Sequence, residues 1–504
     1  MNEVSLKDLF YNIYGLAYNS KKYILIYVFL LIFASFSITS AAPFFFSIKK
    51  ILFLILMILI GCTFIMLVSS KKIELHIGVF FLLLIVGILF SCLTPIYDVH
   101  DENEHFVRSE ITSHGVLFPE MENGYYKSID SVRDLYGDNA YKTPLHSHTT
   151  PVNYSLFKAD SAFAHNPFYG YLPQAIGIFI AKLFNLNSIF LLVFARIGNS
   201  LLYAGLVSLA IKKTPILKMP LLAVACIPLA LHQSFSVSID MMINGLGILI
   251  ISYFLYLYKA KQIKNKDLLI YSALCLLMGL CKLPYLALIL LILFVPKNNL
   301  TDKQRIMSFL LIISLFILGM GYYNLYASTK YLDSVRLNYM QNLHVNSTRQ
   351  VSFVLNNKLA FARMIFDLPN TLYTNILGLF TFSHEAHTYT NNFVTILFAM
   401  FIGGISLFYP LDEKFSKKVR IGALFISLII YISIYLVQFF TWTPVGQTLI
   451  LGTQPRYFIT LFAFAPIIFN LNKNKPDIKL DNYVLTFIMF FIAITLLLIA
   501  FIFY

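Results

Sequence analysis

The sequence predicts an all-α polytopic membrane protein. Of its 504 residues, 58% are hydrophobic and only 12% are charged, and the mean hydropathy is +0.74. A soluble domain carries about 25% charged residues, so this composition excludes a water-soluble fold. Long apolar runs separated by short lysine-rich connections indicate transmembrane helices joined by loops.

Hydrophobic runs follow one another along the whole chain. A membrane-crossing helix needs about 20 apolar residues, and several of the runs are shorter than this. The first run ends in TSAA, which resembles a signal-peptide cleavage site, but its apolar core is too long, so we expect an uncleaved first helix. The runs are 22–42, 50–69, 75–94, 167–184, 188–210, 215–231, 240–258, 268–282, 283–296, 306–326, 390–409, 419–440, 456–471 and 483–504.

The positive charges lie in the short connections between these runs. Such loops are typical of the cytoplasmic side of a membrane and of attraction to anionic lipid. The net charge of +14 therefore predicts a membrane-lipid contact and no nucleic-acid partner. The residues are Lys71, Lys72, Lys212, Lys213, Lys218, Lys259, Lys261, Lys264, Lys266, Lys297, Lys303, Arg305, Lys414, Lys417, Lys418, Arg420, Lys473, Lys475 and Lys479.

Topology fixes the parity of the crossings. With the N-terminus inside, the first three runs place residue 95 outside, whereas the lysine loop places residue 212 inside. Only an odd number of crossings fits between them, yet two runs lie there. Run 167–184 carries Pro173 and Gln174, so we expect it to be re-entrant or interfacial. The sequence thus predicts about 13 transmembrane helices and an external C-terminus.

Three regions are predicted to face outward: 95–166, 327–389 and 441–456. The first, called here the first outer loop, holds 11 of the 24 acidic residues and six of the 11 histidines, and should carry short helices. The second is mildly basic, and its segment 350–382 is amphipathic, which fits either a lipid-facing helix or one packed over the bundle. The predicted divisions are 1–74 with two extra helices, a main module over 75–471, and a C-terminal helix over 472–504.

The stretch TPIYDVHDENEHFVRSE, residues 94–110, is the densest acidic cluster. Carboxylates are costly inside a bilayer, so this cluster should lie just outside it, either as a solvated loop or as a functional site. General acid/base chemistry and cation binding are the two uses that fit. His105 is spaced to orient Asp101 or Glu102 on a helix. The oxygen ligands Asp98, Asp101 and Glu102 could instead hold Mg²⁺ or Mn²⁺.

Several other motifs are excluded or weak. The five cysteines lie in or at the edges of apolar runs with no CxxC or zinc spacing, which predicts neither disulfides nor structural zinc. His100 and His105 do not have the spacing of a zinc protease. The chain has no Walker A motif, which argues against direct ATP hydrolysis.

Charged residues at the mouths of later helices are further candidates. Arg456, in GTQPRYF (452–458), fits either an interfacial arginine or a ligand of a lipid phosphate. Asp240 could cap its helix or face a cavity together with His232. Arg196 lies inside an apolar run, where an arginine indicates a functional site, and Lys282 fits either an interfacial lysine or a phosphate ligand.

The order of these motifs resembles the bacterial membrane-protein family called domain of unknown function 2142. HDENEHFVR (100–108) is similar to its Pro-Asp-Glu-x-x-His-Phe-x-Arg signature, with His100 in place of the proline. NPFYGYLPQAIG (166–177), ARIGN (195–199), HQSFSVSIDMMIN (232–244), LCKLPY (280–285) and GTQPRYF resemble its later motifs. The similarity covers roughly 75–470, and the first two runs fall outside it.

That family resembles the C-type (GT-C) glycosyltransferases. The resemblance implies a GT-C-like helical bundle in a bacterial plasma membrane and an inverting transfer of a sugar from a polyprenyl-phosphate donor to an extracytoplasmic glycan or glycopolymer. It makes Asp101 the first candidate for the base and Glu102 the second, with His105 beside them. Arg456, helped by Arg196 or Lys282, would then bind the donor phosphate. Residues of the substrate cavity would be Asp98, Arg108, Asp240, His232 and Tyr457.

Three other functions compete with this one. A transporter or flippase for lipid-linked substrates predicts inverted repeats and charges at mid-membrane, and no repeat is obvious in the sequence. An O-antigen ligase or polymerase would use arginines and histidines on the outer face rather than an acidic loop early in the chain. A non-catalytic scaffold for envelope assembly would need none of these residues for chemistry.

Overall fold

The computed structural model describes residues 6–40, 47–135, 137, 141–332, 335–383, 388–389, 392–472, 474–475 and 477–504. The described chain is mostly helical with a few short strands, which confirms the all-α prediction. Residues 41–42 of the TSAA segment lie outside the described ranges. The helices are α1 (Leu6–Ser40), α2 (Ile48–Ser69), α3 (Leu75–Leu93), α4 (Glu102–Ser113), α5 (Asp130–Asp134), α6 (Leu172–Leu183), α7 (Ser188–Lys213), α8 (Lys218–Ala225), α9 (Pro228–Ser234), α10 (Asp240–Lys259), α11 (Asn265–Cys281), α12 (Asp302–Tyr322), α13 (Ser328–Leu332), α14 (Val335–Asn342), α15 (Ser347–Asn356), α16 (Lys358–Phe380), α17 (Asn392–Phe408), α18 (Lys417–Thr441), α19 (Ala465–Ile468) and α20 (Ile478–Phe503).

The remaining regular structure of the described residues consists of 3₁₀ and π-helical segments and four short strands. The long 3₁₀ segments are Leu283–Phe294 and Pro455–Phe464, and a π-helical turn, Tyr323–Ala327, extends α12. Short 3₁₀ turns occur at Pro144–His146, Phe168–Gly170 and Lys297–Asn299. Strands β1 (Tyr126–Ile129) and β2 (Leu156–Ala159) pair antiparallel, as do β3 (Phe382–Ser383) and β4 (Thr388–Tyr389).

Eight helices of the described chain are long and apolar enough to cross a membrane. They are α1 (over Tyr14–Ile38), α2, α3, α7, α10, α12 with its extension to Tyr331, α18 and α20. Shorter apolar segments are Leu172–Leu183, Leu283–Phe294, Asn392–Phe408 and Pro455–Ile468. The chain is therefore a membrane protein with several apolar helices, while the count of 13 crossings stays a prediction.

Two of the predicted runs are broken in the structure. Run 215–231 divides into α8 and α9, because Pro228 begins a new helix where the backbone of Ile227 is extended. Run 167–184 contains the 12-residue helix α6. A helix of that length spans about 18 Å, well short of the hydrocarbon core of about 30 Å, as Pro173 and Gln174 had indicated.

α6 packs closely on α7 through two glycines. A Cβ placed on Gly177 would meet the carbonyl of Phe194, and one placed on Gly198 would meet the carbonyl of Pro173. Both obstacles are backbone atoms, which cannot move aside as a flexible side chain can. Small residues at these positions let the two helices approach closely, which fixes α6 and the loop before it on α7.

α20 joins the two N-terminal helices rather than standing apart from them. It packs against α1 and α2 as well as α3 and α8, and most of its length is buried. Ser47 donates a hydrogen bond of 3.2 Å to the Tyr504 carbonyl, and the Tyr504 ring lies 5.0 Å from the ring of His146. The end of α20 therefore lies on the same side as the first outer loop, as the topology predicts.

The first outer loop forms a small core of its own. Ile96, Phe106 and Ile111 are buried against Tyr126 and Ile129 of the β1–β2 hairpin, and the same cluster includes apolar residues of α6 and α7. α4 is thereby packed between the hairpin and the membrane helices. The short helices α4 and α5 are those expected in this loop.

A buried ion cluster also ties α4 to α6. Glu110 accepts hydrogen bonds from His114 at 2.6 Å, Lys182 at 2.8 Å and Ser128 at 2.7 Å. Burial alone would raise the pKa of this carboxyl, but the hydrogen bond from His114 and the charge of Lys182 lower it to about 2. Because the folded pKa lies below the unfolded one, the carboxylate form stabilises the fold.

Acid should remove this contribution. It is complete above pH of about 4.5 and disappears as the pH falls toward 2, with a total of roughly 3 kcal/mol. We expect Glu110→Gln to lower the melting temperature at pH 7, and the gap from the wild type to narrow by pH 3. Thermal melts in detergent at both values test this, with exposed Glu120→Gln as the control. A gap that does not narrow in acid would contradict the assignment.

Candidate functional site

The backbone of Asp101 turns sharply at the start of α4. Asp101 precedes the first residue of the helix and has φ of 61° and ψ of 12°, in the left-handed region. Few residues other than glycine adopt this conformation, although Asp and Asn tolerate it better than most. The turn directs Asp101 away from the direction that helical spacing predicts, and separates its side chain from that of Glu102.

Glu102 is held in a buried ion pair with Arg196. Both side chains are fully buried, and Arg196 donates from Nε to Oε1 at 2.8 Å and from Nη2 to Oε2 at 2.6 Å. The backbone N–H of Val237 also donates to Oε1 at 3.0 Å. This bidentate arrangement occupies both carboxylate oxygens, so Glu102 joins α4, α7 and the segment before α10.

Arg196 uses its remaining N–H groups on the chain that leads to Asp101. Nη1 donates to the carbonyls of Ser91 and Thr94, at 3.3 and 2.7 Å, and Nη2 donates to that of Pro95 at 2.7 Å. With the two bonds to Glu102, all five guanidinium donors are engaged. The structure therefore leaves no N–H of Arg196 for a phosphate, contrary to the prediction, and makes Arg196 an anchor for the end of α3.

Arg456 is the centre of a second group of charges, called here the Arg456 cluster: Asp101, Gln233, Asp240 and Arg456. Nη2 of Arg456 binds Oδ2 of Asp101, and Nη1 lies 3.3 Å from Oδ2 of Asp240. Nη1 also donates to Oε1 of Gln233 at 3.3 Å and to the carbonyl of His100 at 2.9 Å. The structure thus joins residues that lie 355 positions apart in the sequence.

Three helical segments begin at this cluster. Glu102 begins α4, Asp240 begins α10, and Pro455 begins the 3₁₀ segment that carries Arg456. The unsatisfied N–H groups at helix N-termini favour negative charge. Arg456 itself is only 4% exposed, and its Nε has no partner among the described residues. Arg456 is therefore a buried cation between two carboxylates, with one N–H donor still unused.

Lys282 and Tyr457 lie next to the Arg456 cluster. Nζ of Lys282 is 3.1 Å from the centre of the Tyr457 ring, and the Arg456 guanidinium carbon is 5.4 Å from the same ring. Tyr285 donates a hydrogen bond of 2.5 Å to the Tyr457 carbonyl. The side chains of Lys282 and Arg456 therefore both lie against one aromatic ring, which helps to fix their positions.

Asp101 is the accessible carboxylate of the group. Its side chain is 34% exposed, compared with 8% for that of Asp240. Burial tends to raise the pKa of Asp101, but the neighbouring Arg456 guanidinium more than offsets it, and the net pKa lies below the ordinary value. At neutral pH Asp101 is thus an ionised carboxylate that reaches solvent.

His105 does not orient either carboxylate. Its Nδ1 hydrogen-bonds the Tyr171 hydroxyl at 2.8 Å, and its ring stacks on Phe163 with a centroid distance of 4.0 Å. Burial lowers the pKa of His105 to about 4, so the ring is neutral at pH 7. The predicted orienting role is wrong because Asp101 lies outside the helix on which the spacing was counted.

The remaining predicted cavity residues are not part of the Arg456 cluster. Arg108 is buried and binds Thr112 and the carbonyls of Leu117 and Asn166, which stabilises the first outer loop. Asp98 is fully buried, and His232 is buried with its ring 5.1 Å from that of Phe382. Of the five residues predicted to line the cavity, the structure brings Asp240 and Tyr457 to Arg456.

The predicted metal ligands do not form a metal site. Among the described residues, no group of three His, Cys, Asp or Glu side chains is close enough to hold an ion. Both oxygens of Glu102 are engaged by Arg196, and Asp101 is paired with Arg456. Asp98, Asp101 and Glu102 therefore do not fit Mg²⁺ or Mn²⁺ as a ligand set.

Two tyrosines that support the site were not predicted from the sequence. Tyr171 holds the ring of His105, and Tyr285 supports the backbone of Tyr457. Both tyrosines lie in short motifs that the sequence singles out, 166–177 and 280–285, but tyrosines are common in membrane proteins. Gln233, near the C-terminal end of α9, contacts Arg456.

Comparison with known proteins identifies a family and nothing closer. No curated protein and no solved structure matches the chain. The model of one family, described as predicted membrane protein (DUF2142), matches residues 84–465. That range contains the Arg456 cluster and the Glu102–Arg196 pair, and it leaves out α1, α2 and α20. Because the match covers about three quarters of the chain, the protein belongs to the DUF2142 family of predicted membrane proteins.

Proposed function

We propose that this protein is an integral-membrane inverting glycosyltransferase of the GT-C type. It would move a sugar from a polyprenyl-phosphate donor to a hydroxyl of a cell-envelope glycan or glycopolymer, on the outer face of a bacterial plasma membrane. One observation carries the proposal: an accessible carboxylate, Asp101, lies against a buried arginine, Arg456, where helix ends meet. A base and an anion ligand side by side are what a transfer from a phosphate leaving group requires.

The chemical step uses one carboxylate. Asp101 takes the proton from the acceptor hydroxyl, and that oxygen attacks the anomeric carbon as the bond from this carbon to the phosphate oxygen breaks. The electron pair leaves with the phosphate, and Asp101 later gives its proton to water. A single displacement inverts the anomeric centre. Base catalysis by a positioned side chain typically contributes about 10²–10⁴-fold.

Arg456 and Lys282 would bind the donor phosphate. Arg456 has a buried Nε–H without a partner among the described residues, and Lys282 lies against the same Tyr457 ring as Arg456. A guanidinium and an ammonium in a poorly hydrated site stabilise the charge that develops on a departing phosphate. Arg196 and Glu102, with no free polar atom, act as positioning residues instead.

α16 offers a surface for the polyprenyl chain of the donor. Gly378, near its C-terminal end, packs directly against Pro455, the residue before Arg456. Exposed apolar side chains continue along α15 and α16 away from this contact. An amphipathic helix of this kind lies well in the plane of a lipid leaflet. The exposed residues are Val351, Leu355, Leu359, Ile365, Phe366, Leu372, Tyr373, Ile376 and Leu377.

A transfer assay with the purified protein tests the proposal. The protein in nanodiscs would be given a panel of polyprenyl-phosphate sugars and a crude envelope-glycan acceptor, with transfer of a radiolabelled sugar as the readout. We expect Arg456→Ala to lower kcat/KM for the donor by about 10²–10³-fold, because it removes a cation from the leaving group. Arg456→Lys should recover part of the activity, since it restores the charge without the bidentate geometry.

Arg305→Ala is the matched control, because Arg305 is an exposed arginine at the start of α12, remote in sequence from Arg456 and outside the surface proposed for the polyprenyl chain. It should transfer sugar like the wild type. An Arg456→Ala protein with normal donor kinetics would remove the phosphate role. Movement of the intact lipid-linked sugar across a liposome membrane, with no transfer to any acceptor, would favour a flippase instead.

A further inference from the structure

We propose that Asp101 is the counter-ion of Arg456 when no donor is bound, and that the donor phosphate displaces it and so releases the carboxylate to act as the base. This inference rests on the proposed function, because it concerns the order of events at that same site.

Arg456 already faces two carboxylates before any ligand arrives. Asp101 and Asp240 both pair with its guanidinium, and Lys282 lies against the neighbouring Tyr457 ring. A phosphate would add a third anion to a region where Arg456 is 4% exposed. Like charges in a poorly hydrated site repel strongly, so one carboxylate must move away from Arg456 as the phosphate binds.

Asp101 is the carboxylate that is free to move. Asp240 is the first residue of α10, its side chain is 8% exposed, and its backbone N–H is held by the Ser238 hydroxyl at 3.1 Å. Asp101 is 34% exposed and precedes its helix, so its side chain can turn toward solvent while the backbone stays in place.

Displacement changes what Asp101 can do. While bound to Arg456, the carboxylate has an oxygen engaged and a reduced affinity for a proton. Once released, both oxygens can accept, and its affinity for a proton rises as the guanidinium turns to the phosphate. The base therefore becomes competent when the leaving group is in place, and a donor-free enzyme does not hold an active base.

Thermodynamic linkage makes this arrangement measurable. If the phosphate has to displace Asp101, then a protein without that negative charge binds the phosphate more tightly. Asp101→Asn removes the charge and keeps the shape, and Asn is one of the few residues that adopts the left-handed conformation readily. The variant therefore combines loss of the base with a gain in anion affinity, which a merely structural role for Asp101 would not produce.

Calorimetric titration of the nanodisc-embedded protein with farnesyl phosphate, and separately with inorganic phosphate, provides the test. We expect Asp101→Asn to bind farnesyl phosphate about tenfold more tightly than the wild type. Glu120→Gln, which removes a charge from the exposed surface of the same loop, should leave the affinity unchanged. Arg456→Ala should bind both probes weakly.

The results of these titrations distinguish the displacement of Asp101 from the proposed sugar transfer. Tighter binding of both probes supports displacement by any phosphate, and tighter binding of farnesyl phosphate alone supports it with a lipid carrier as the source. Equal or weaker binding of both probes by Asp101→Asn overturns the inference, even if transfer is lost. Full transfer activity in Asp101→Asn removes the base from the proposed function, whereas tighter phosphate binding would still support the exchange at Arg456.

Discussion

Asp101→Asn is expected to lower the rate of sugar transfer by about 10²–10⁴-fold, the contribution of a positioned base. Asp101 is the carboxylate of the Arg456 cluster that reaches solvent, so it is the one that an acceptor hydroxyl can approach. The amide cannot take a proton from that hydroxyl. Because Asn suits the left-handed backbone, the loss should appear in kcat rather than in protein yield.

The transfer assay in nanodiscs measures this loss, and melting temperature checks the fold. Asp160→Asn, an exposed carboxylate of the same loop, is the matched control and should remain fully active. Asp101→Glu should retain partial activity, because it keeps the carboxylate but moves it by one methylene group. Wild-type kinetics in Asp101→Asn would show that the base lies elsewhere.

Glu102→Gln is expected to destabilise the protein by about 3–5 kcal/mol, the usual effect of breaking a buried ion pair. The change leaves the fully buried guanidinium of Arg196 without its counter-charge. Arg196 also holds the carbonyls of Ser91, Thr94 and Pro95, so the end of α3 should loosen with it. A large drop in melting temperature in detergent is the direct readout.

Glu122→Gln provides the comparison, because Glu122 forms an exposed ion pair with Lys127 that should contribute less than about 1 kcal/mol. The double variant Glu102→Leu/Arg196→Leu leaves no buried charge unpaired. Its loss of stability should therefore be smaller than the sum of the losses in the single variants Glu102→Leu and Arg196→Leu. An unchanged melting temperature in Glu102→Gln would contradict a stabilising role of the Glu102–Arg196 ion pair.

The sequence was informative where composition and order carry the signal. The apolar runs predicted an all-helical membrane protein, and the weak motifs in their order predicted the family that the comparison found. Short runs were less predictable. Run 283–296 forms the 3₁₀ segment Leu283–Phe294, and run 215–231 contains a break at Ile227, so apolarity alone did not fix the conformation.

Most residues of the candidate site could be predicted from the sequence, but which of them bind each other could not. Asp101 and Arg456 were both expected at one site, yet nothing in the sequence states that they bind each other across 355 positions. The family resemblance made Glu102 the second candidate for the base, after Asp101. Its burial against Arg196 is a tertiary property, and so is the left-handed backbone that turns Asp101 away from His105.

The contact between α20 and the first two helices limits how such a chain can evolve. The family region occupies 84–465, and the stretches before and after it meet in space as α1, α2 and α20. Two segments separated by the whole family region thus make one structural unit. A lineage that lost either stretch would leave the other without its packing partner, so the two are expected to be inherited together.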